Sequence, residues 1–153
     1  MKVTRAQDHL AAKACAYAFD QEYWELERRS PSFKSLDTVV RHYLSKRHRG
    51  NRAHGSLVAA LCSDVVRQPH IVRRAFTEGL RSGIERLRCL APGSCEETER
   101  QRAIAVLAGL VGALILSRAV NDRKLSDEIL QAVARTFGRQ SRCGKALTAA
   151  SGA

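Results

Sequence analysis

The sequence predicts an all-α fold, a bundle of about six helices. Three observations lead to this prediction. Ala, Leu and Arg, which favour helix, are abundant, and there are only three prolines. Apolar residues recur at steps of three and four in each long segment, which is the period of a helix. No segment shows the alternation with period two that is typical of a strand.

The N-terminal half is predicted to contain three helices. The first covers residues 8–29 and ends at Ser30-Pro31-Ser32. A short amphipathic helix covers residues 35–45, and the charged, glycine-containing stretch 46–55 is predicted to be a loop. A third helix begins near Leu57 and ends before Pro69. The apolar face of the first helix consists of Ala11, Cys15, Ala18, Phe19, Tyr23 and Leu26.

The fourth and fifth predicted helices occupy the middle of the chain. Proline is favoured in the first turn of a helix, so the fourth helix begins near Pro69 and runs to about Cys89. Ala91-Pro92-Gly93 separates it from the fifth helix. Ser94 with Glu97 three residues later forms a capping box, and the helix that it starts should reach about Val120.

The sixth predicted helix is the last. Asn121-Asp122 turns the chain, and Ser126 is expected to cap a helix that continues through Phe137. Gly138 is expected to end it. The Ser-, Gly- and Ala-rich residues 140–153 are predicted to be a disordered tail.

Composition indicates a reduced, cytoplasmic protein. The five cysteines are an odd number in a chain long enough to build a core without disulfides, and no apolar signal segment follows the polar N-terminus. Residues 103–116 are fourteen apolar or small residues bounded by Arg102 and Arg118. This is shorter than the roughly 20 residues of a membrane span, so a buried central helix and no membrane contact are predicted.

No pattern of residues supports catalysis. There is no nucleophile elbow, no phosphate-binding glycine loop and no Glu-x-x-His pair. Cys89 and Cys95 lack a second pair at the spacing of a zinc site. We therefore expect neither an enzyme nor a bound metal or cofactor.

Small residues on the fifth helix allow close helix packing. Ala105, Ala108, Gly109 and Gly112 alternate there with large apolar residues. Two interpretations stay open. The helix is wrapped by its own domain, or part of its surface, together with Leu116 and with the apolar residues of the last helix, forms a four-helix interface with a second copy. The last-helix residues are Ile129, Leu130, Val133 and Phe137.

Several stretches resemble the C-terminal regulatory domain of the TetR/AcrR family of transcriptional regulators. They are 43–49 (YLSKRHR), 54–61 (HGSLVAAL) and 65–69 (VVRQP) followed by Phe76. The strongest likeness lies in 110–120 (LVGALILSRAV) with 125–130 (LSDEIL), which resemble the two final helices of that family. The resemblance covers roughly residues 8–139, the predicted ligand-binding and dimerisation domain.

The resemblance implies a small-molecule-sensing domain that forms a homodimer through its last two helices. In that family a small, usually hydrophobic effector binds among the helices. The corresponding candidates here, for each of which plain core packing is the alternative, are Tyr43, Leu61, Cys62, Val65, Phe76, Leu80, Leu107, Val111 and Leu114.

The sequence departs from the family at its N-terminus. Residues 1–7 resemble the start of such a repressor and residues 8–15 resemble the helix that follows its DNA-binding domain, so the helix-turn-helix domain is expected to be missing. The resemblance then implies no sequence-specific DNA binding by this chain alone. It allows a heterodimer with a full-length relative.

A second function class stays open. The net charge is +11, and residues 41–52 contain Arg41, Lys46, Arg47, Arg49 and Arg52 without an acid. Such a segment suits a small nucleic-acid-binding module that contacts phosphates, although a solvated loop has the same composition.

Overall fold

The structure, a computed structural model, describes the backbone of residues 2–29, 35–51, 55–90 and 96–149, and the side chains of residues 5–21, 35–51, 55–90 and 97–138. These ranges contain seven α-helices and no strand, which confirms the all-α prediction. The helices are α1 (Lys2–Arg29), α2 (Leu36–Tyr43), α3 (Lys46–Gly50), α4 (Leu57–Val65), α5 (His70–Leu90), α6 (Glu96–Ala119) and α7 (Arg123–Ala149).

The helices form two compact units. Unit 1 consists of Met1–Pro31 and Ser56–Gly83, and therefore contains α1, α4 and the first part of α5. Unit 2 consists of Ser32–Gly55 and Ile84–Ala153, and contains α2, α3, the end of α5, α6 and α7.

The core of unit 1 is built around Phe19 of α1. This ring is 2% exposed and lies edge-on to Phe76 of α5, with ring centroids 5.5 Å apart. Gly79 makes the close approach possible, because a Cβ at that position would overlap the Phe19 ring. Ala12 and Cys15 continue the buried face of α1, so this face includes Ala12 and not the predicted Ala11, which is exposed.

The core of unit 2 lies where α2 and α6 pack against α7. Its buried apolar side chains are Leu36, Val40 and Leu44 from the α2 region, Val106, Leu110 and Leu114 from α6, and Leu130 from α7. Glu85 of α5 accepts hydrogen bonds from Arg88 of the same helix and Arg100 of α6. This pairing holds the pKa of the Glu85 carboxyl below its usual range, first through the Arg88 hydrogen bond.

Two predicted helix starts differ from the structure. The first helix begins at Lys2, so the backbone of residues 2–7, predicted to be a separate segment, belongs to α1. The last helix begins at Arg123 and not after Ser126. Asp122 is the residue that satisfies its first turn, because the Asp122 carboxylate accepts from the backbone N–H groups of Lys124 and Leu125.

Gly138 does not end the last helix, which continues to Ala149, so the predicted tail is helical over 140–149. One glycine costs a helix only about 1 kcal/mol, which neighbouring contacts can offset. A Cβ at Gly138 would lie 2.9 Å from the Asp37 carboxylate of α2. The glycine therefore permits the close packing of α2 on α7.

Some predicted features lie outside the described residues. They are the breaks at Ser30-Pro31-Ser32 and Ala91-Pro92-Gly93, the capping Ser94, Arg52 of the basic segment, residues 150–153 of the tail, and the side chains of Tyr23 and Leu26.

The predicted buried central helix is only partly buried. Over Glu97–Ala119, α6 is long and apolar enough to cross a membrane, and 33% of its most apolar stretch is buried. A single helix of this kind is weak support for a membrane span, because core helices of soluble proteins have the same composition. One face of α6 enters the core of unit 2 and the opposite face is exposed.

Candidate functional site

The exposed face of α6 is apolar. Ile104 is 43% exposed and Leu116 is 56% exposed, while Ala105 and Ala108 between them are exposed too. Gly112 is half-buried, and a Cβ there would meet no atom within 4 Å. Four of the predicted interface residues, Ala105, Ala108, Gly112 and Leu116, therefore lie on the side of α6 that is turned away from the core of unit 2.

The exposed apolar edge of α7 adjoins that face. Leu125 is 42% exposed, and Ile129 and Val133 are half-buried. The two helices run antiparallel, because Ser126 bonds to Ser117 at one end and Phe137 faces Gly109 at the other.

Helical geometry then gives the direction of both sets of residues. At about 100° per residue, the exposed residues of α6 centre roughly 110° from the side of Gly109 and Ser117, and those of α7 centre roughly 70° from the side of Ser126 and Phe137, in the same sense of rotation. For antiparallel helices these two rotations lead to the same side of the pair. We call the resulting surface the two-helix apolar face, formed by Ile104, Ala105, Ala108, Gly112, Leu116, Leu125, Ile129 and Val133.

Three predicted interface residues instead pack within unit 2. A Cβ on Gly109 would overlap the ring of Phe137, so these two residues form the close contact between α6 and α7. Leu130 is 3% exposed and belongs to the core. A stripe of small residues cannot distinguish a contact with the next helix from a contact with a second copy, which explains why the sequence grouped them together.

The effector candidates are divided between the two units. Unit 1 contains Leu61, Cys62, Val65, Phe76 and Leu80. Val65 is buried, and the other four are half-buried. Unit 2 contains Tyr43, Leu107, Val111 and Leu114. Leu114 is fully buried, while the other three keep part of their surface exposed.

The basic segment contains a helix where a loop was predicted. The helix is α3, Lys46–Gly50, and the Ser45 hydroxyl caps it by accepting from the His48 backbone N–H at 3.1 Å. Arg118, at the end of α6, donates to the carbonyl oxygens of His48 and Arg49, each at 3.1 Å. The positive charge of Arg118 thus lies at the C-terminal end of α3, where it interacts favourably with the negative end of the helix dipole.

Two bases of α3 are paired with one acid of α7. The Asp127 carboxylate lies 2.7 Å from the Lys46 ammonium and 2.7 Å from Arg49 Nη1. These hydrogen bonds, that from Lys46 first, hold the pKa of Asp127 below its usual range. The Ser126 hydroxyl accepts from Arg49 at 2.6 Å and donates to the Ser117 carbonyl at 2.5 Å, so the predicted cap is a buried link between α6 and α7.

Sequence reasoning missed this cluster because its members are far apart in the chain. Arg49 and Asp127 are separated by 78 positions, and no local spacing connects them. The one available signal was Arg118, a charged residue that follows a long apolar run after a single serine.

His48 of α3 lies in a buried environment beside two other rings. Its ring lies 4.8 Å from the Tyr43 ring and 5.8 Å from the His42 ring, centroid to centroid. Its Nε2 is buried with no hydrogen-bond partner among the residues that the structure describes. Burial, followed by the nearby charges of His42 and Arg118, lowers the pKa of His48 to about 4.

Known proteins do not identify the chain. No protein-family model matches it, and no curated protein matches it. Within the described residues, no group of three or more His, Cys, Asp or Glu side chains has the arrangement of a metal site.

Proposed function

We propose that this protein is a dimerising regulatory domain of the TetR/AcrR type, and that two copies associate through the two-helix apolar face. The observation that carries the proposal is the exposure of that face. It combines three large aliphatic side chains that are more than 40% exposed, Ile104, Leu116 and Leu125, with the small residues Ala105, Ala108 and Gly112 between them.

An exposed apolar face of this kind is stabilised when another surface covers it. Burying apolar surface stabilises a protein by roughly 25 cal/mol per Å², and monomeric proteins rarely leave a contiguous apolar patch of several side chains in water. Two antiparallel helices with small residues at the centre can pack against an identical pair to give a four-helix bundle with two-fold symmetry. A second copy of this chain therefore has the right shape and apolar character to cover the face.

A charge on this face is expected to separate the dimer. Leu116→Glu places a carboxylate in the proposed contact and should raise the dimer dissociation constant by about thirtyfold. Sedimentation velocity across a concentration series measures the change. The matched control is Leu10→Glu, because Leu10 of α1 is 69% exposed and lies in unit 1. Wild-type protein that stays monomeric at micromolar concentration contradicts the proposal.

The effector is a further part of the proposal, and it is supported by the resemblance together with the half-buried apolar candidates. We propose a small hydrophobic ligand that binds among the candidates of unit 1, with Cys62 as its polarisable contact. A lipophilic compound should then raise the melting temperature of the protein in a saturable way. Leu61→Trp is expected to abolish that rise without unfolding the protein, because the larger side chain fills space that the ligand would use. A rise that Leu61→Trp leaves unchanged contradicts the involvement of Leu61.

Ion pairs formed by the basic segment weaken the nucleic-acid alternative. Arg41 is paired with Asp37 at 2.8 Å, and Lys46 and Arg49 share Asp127. These ion pairs reduce the positive charge that the segment offers to phosphates. We therefore propose that the basic segment does not select a DNA sequence.

A further inference from the structure

A polar cleft lies at the junction of α3, α6 and α7. Its volume is about 290 Å³, and it is open to solvent. Three arginines from different elements line it: Arg49 from α3, Arg118 from the end of α6 and Arg123 from the start of α7. Asn121 and the two linked serines, Ser117 and Ser126, complete its polar lining.

The three arginines differ in how much of their hydrogen-bonding capacity is already used. Arg118 is occupied by the carbonyl groups at the end of α3. Arg49 uses Nη1 for Ser126 and Asp127, whereas its Nε and Nη2 have no partner among the described residues. Arg123 is exposed and forms no ion pair with any described residue. Two guanidinium groups therefore have donors to spare at one cleft.

The bases around the cleft outnumber the acids. Asp127 is shared between Lys46 and Arg49, so it offsets one of their two charges. The Asp122 carboxylate accepts from uncharged backbone N–H groups of α7, so its negative charge also counts. Lys46, Arg49 and Arg123 together exceed these two acids by one positive charge, even before Arg118 is included, at a site with room for a small ion.

We propose that this cleft binds a small tetrahedral oxyanion, phosphate or the phosphate group of a small metabolite, between Arg49 and Arg123. The planar guanidinium group presents two parallel N–H donors that match two oxygens of such an anion. The Arg49 side chain is 16% exposed and held by Ser126 and Asp127, so little conformational entropy is lost when it binds. Asn121 can donate from its amide group. The cleft shares no lining residue with the effector candidates or with the two-helix apolar face.

Titration of the wild-type protein with sodium phosphate tests the proposal. Backbone amide NMR spectra are recorded at constant ionic strength, with chloride replaced by phosphate. We expect saturable shifts confined to residues 117–126 and to α3. Glycerol 2-phosphate in a second titration distinguishes a phosphate ester from the free ion, according to which has the lower dissociation constant. Acetate, which is planar and singly charged, should bind more weakly than either.

Two variants in the cleft make the test specific. Arg123→Gln removes one donor group from an exposed position and should raise the phosphate dissociation constant roughly fivefold. Asn121→Asp brings a negative charge into the cleft and should abolish saturation. The control is Arg81→Gln, because Arg81 is an exposed arginine on α5 in unit 1. It should leave binding unchanged. Shifts that are linear in phosphate, or a dissociation constant that is equal in Arg123→Gln and wild type, overturn the proposal.

Discussion

Replacing Leu114 with alanine is expected to destabilise the protein by about 2–5 kcal/mol, the range for deleting a large aliphatic side chain from a packed core. Leu114 has no exposed surface and lies on the face of α6 that enters the core of unit 2. Loss of its isobutyl group removes favourable transfer energy and leaves a cavity that the surrounding helices fill only in part. Denaturant unfolding followed by circular dichroism measures the change.

The control for this prediction is Leu10→Ala. Leu10 is 69% exposed on α1, so its truncation should change the free energy of unfolding by no more than about 0.5 kcal/mol. The comparison also tests the role of Leu114 as an effector contact. If Leu114→Ala were as mild as the control, Leu114 would line an open pocket, and its placement in the core would be contradicted.

Acidification from pH 6.5 to pH 4 is expected to destabilise the protein through His48 by up to about 3 kcal/mol. The pKa of His48 is lowered from 6.5 to about 4 in the folded protein, first because the ring is buried. The unfolded chain therefore takes up a proton at a higher pH than the folded protein does. The stabilisation is complete above pH 6.5, decreases as the pH falls, and is lost once the folded pKa is passed.

His48→Phe isolates this contribution, because phenylalanine keeps an aromatic ring beside Tyr43 and His42 but does not titrate. The free energy of unfolding of the variant should fall less than that of wild type between pH 6.5 and pH 4. Carboxylates such as Asp127 titrate in both proteins, so their effect cancels in the comparison. Parallel pH profiles for the two proteins would show that His48 is not held neutral by burial.

Local patterns predicted most of the helices because each has its own apolar stripe and breaking residues. The period of three and four placed α2, α4, α5 and α6 close to their observed bounds. It failed for α3, whose five residues KRHRG carry no apolar stripe. That helix is held by its Ser45 cap, by Arg118 and by Asp127, and the last two are distant in sequence.

The candidate sites were harder to predict because they depend on how helices are rotated. The sequence identified the small residues of α6 but could not assign Gly109 to Phe137 of its own chain and Ala108 to the exposed side. The polar cleft could not be predicted from the sequence either. Arg49 and Arg123 come together only through the packing of α3 on α6 and the turn between α6 and α7.

The central claim, that a second copy covers the two-helix apolar face, is tested most directly by isotope-filtered NOE spectroscopy. Carbon-13-labelled and unlabelled protein are mixed in equal amounts, so that only contacts between different copies give signals. We predict intermolecular NOEs from the methyl groups of Ile104, Leu116 and Ile129, and none from the exposed Leu10. Intermolecular NOEs that are absent, or that arise from Leu10 and not from these three residues, would contradict the claim.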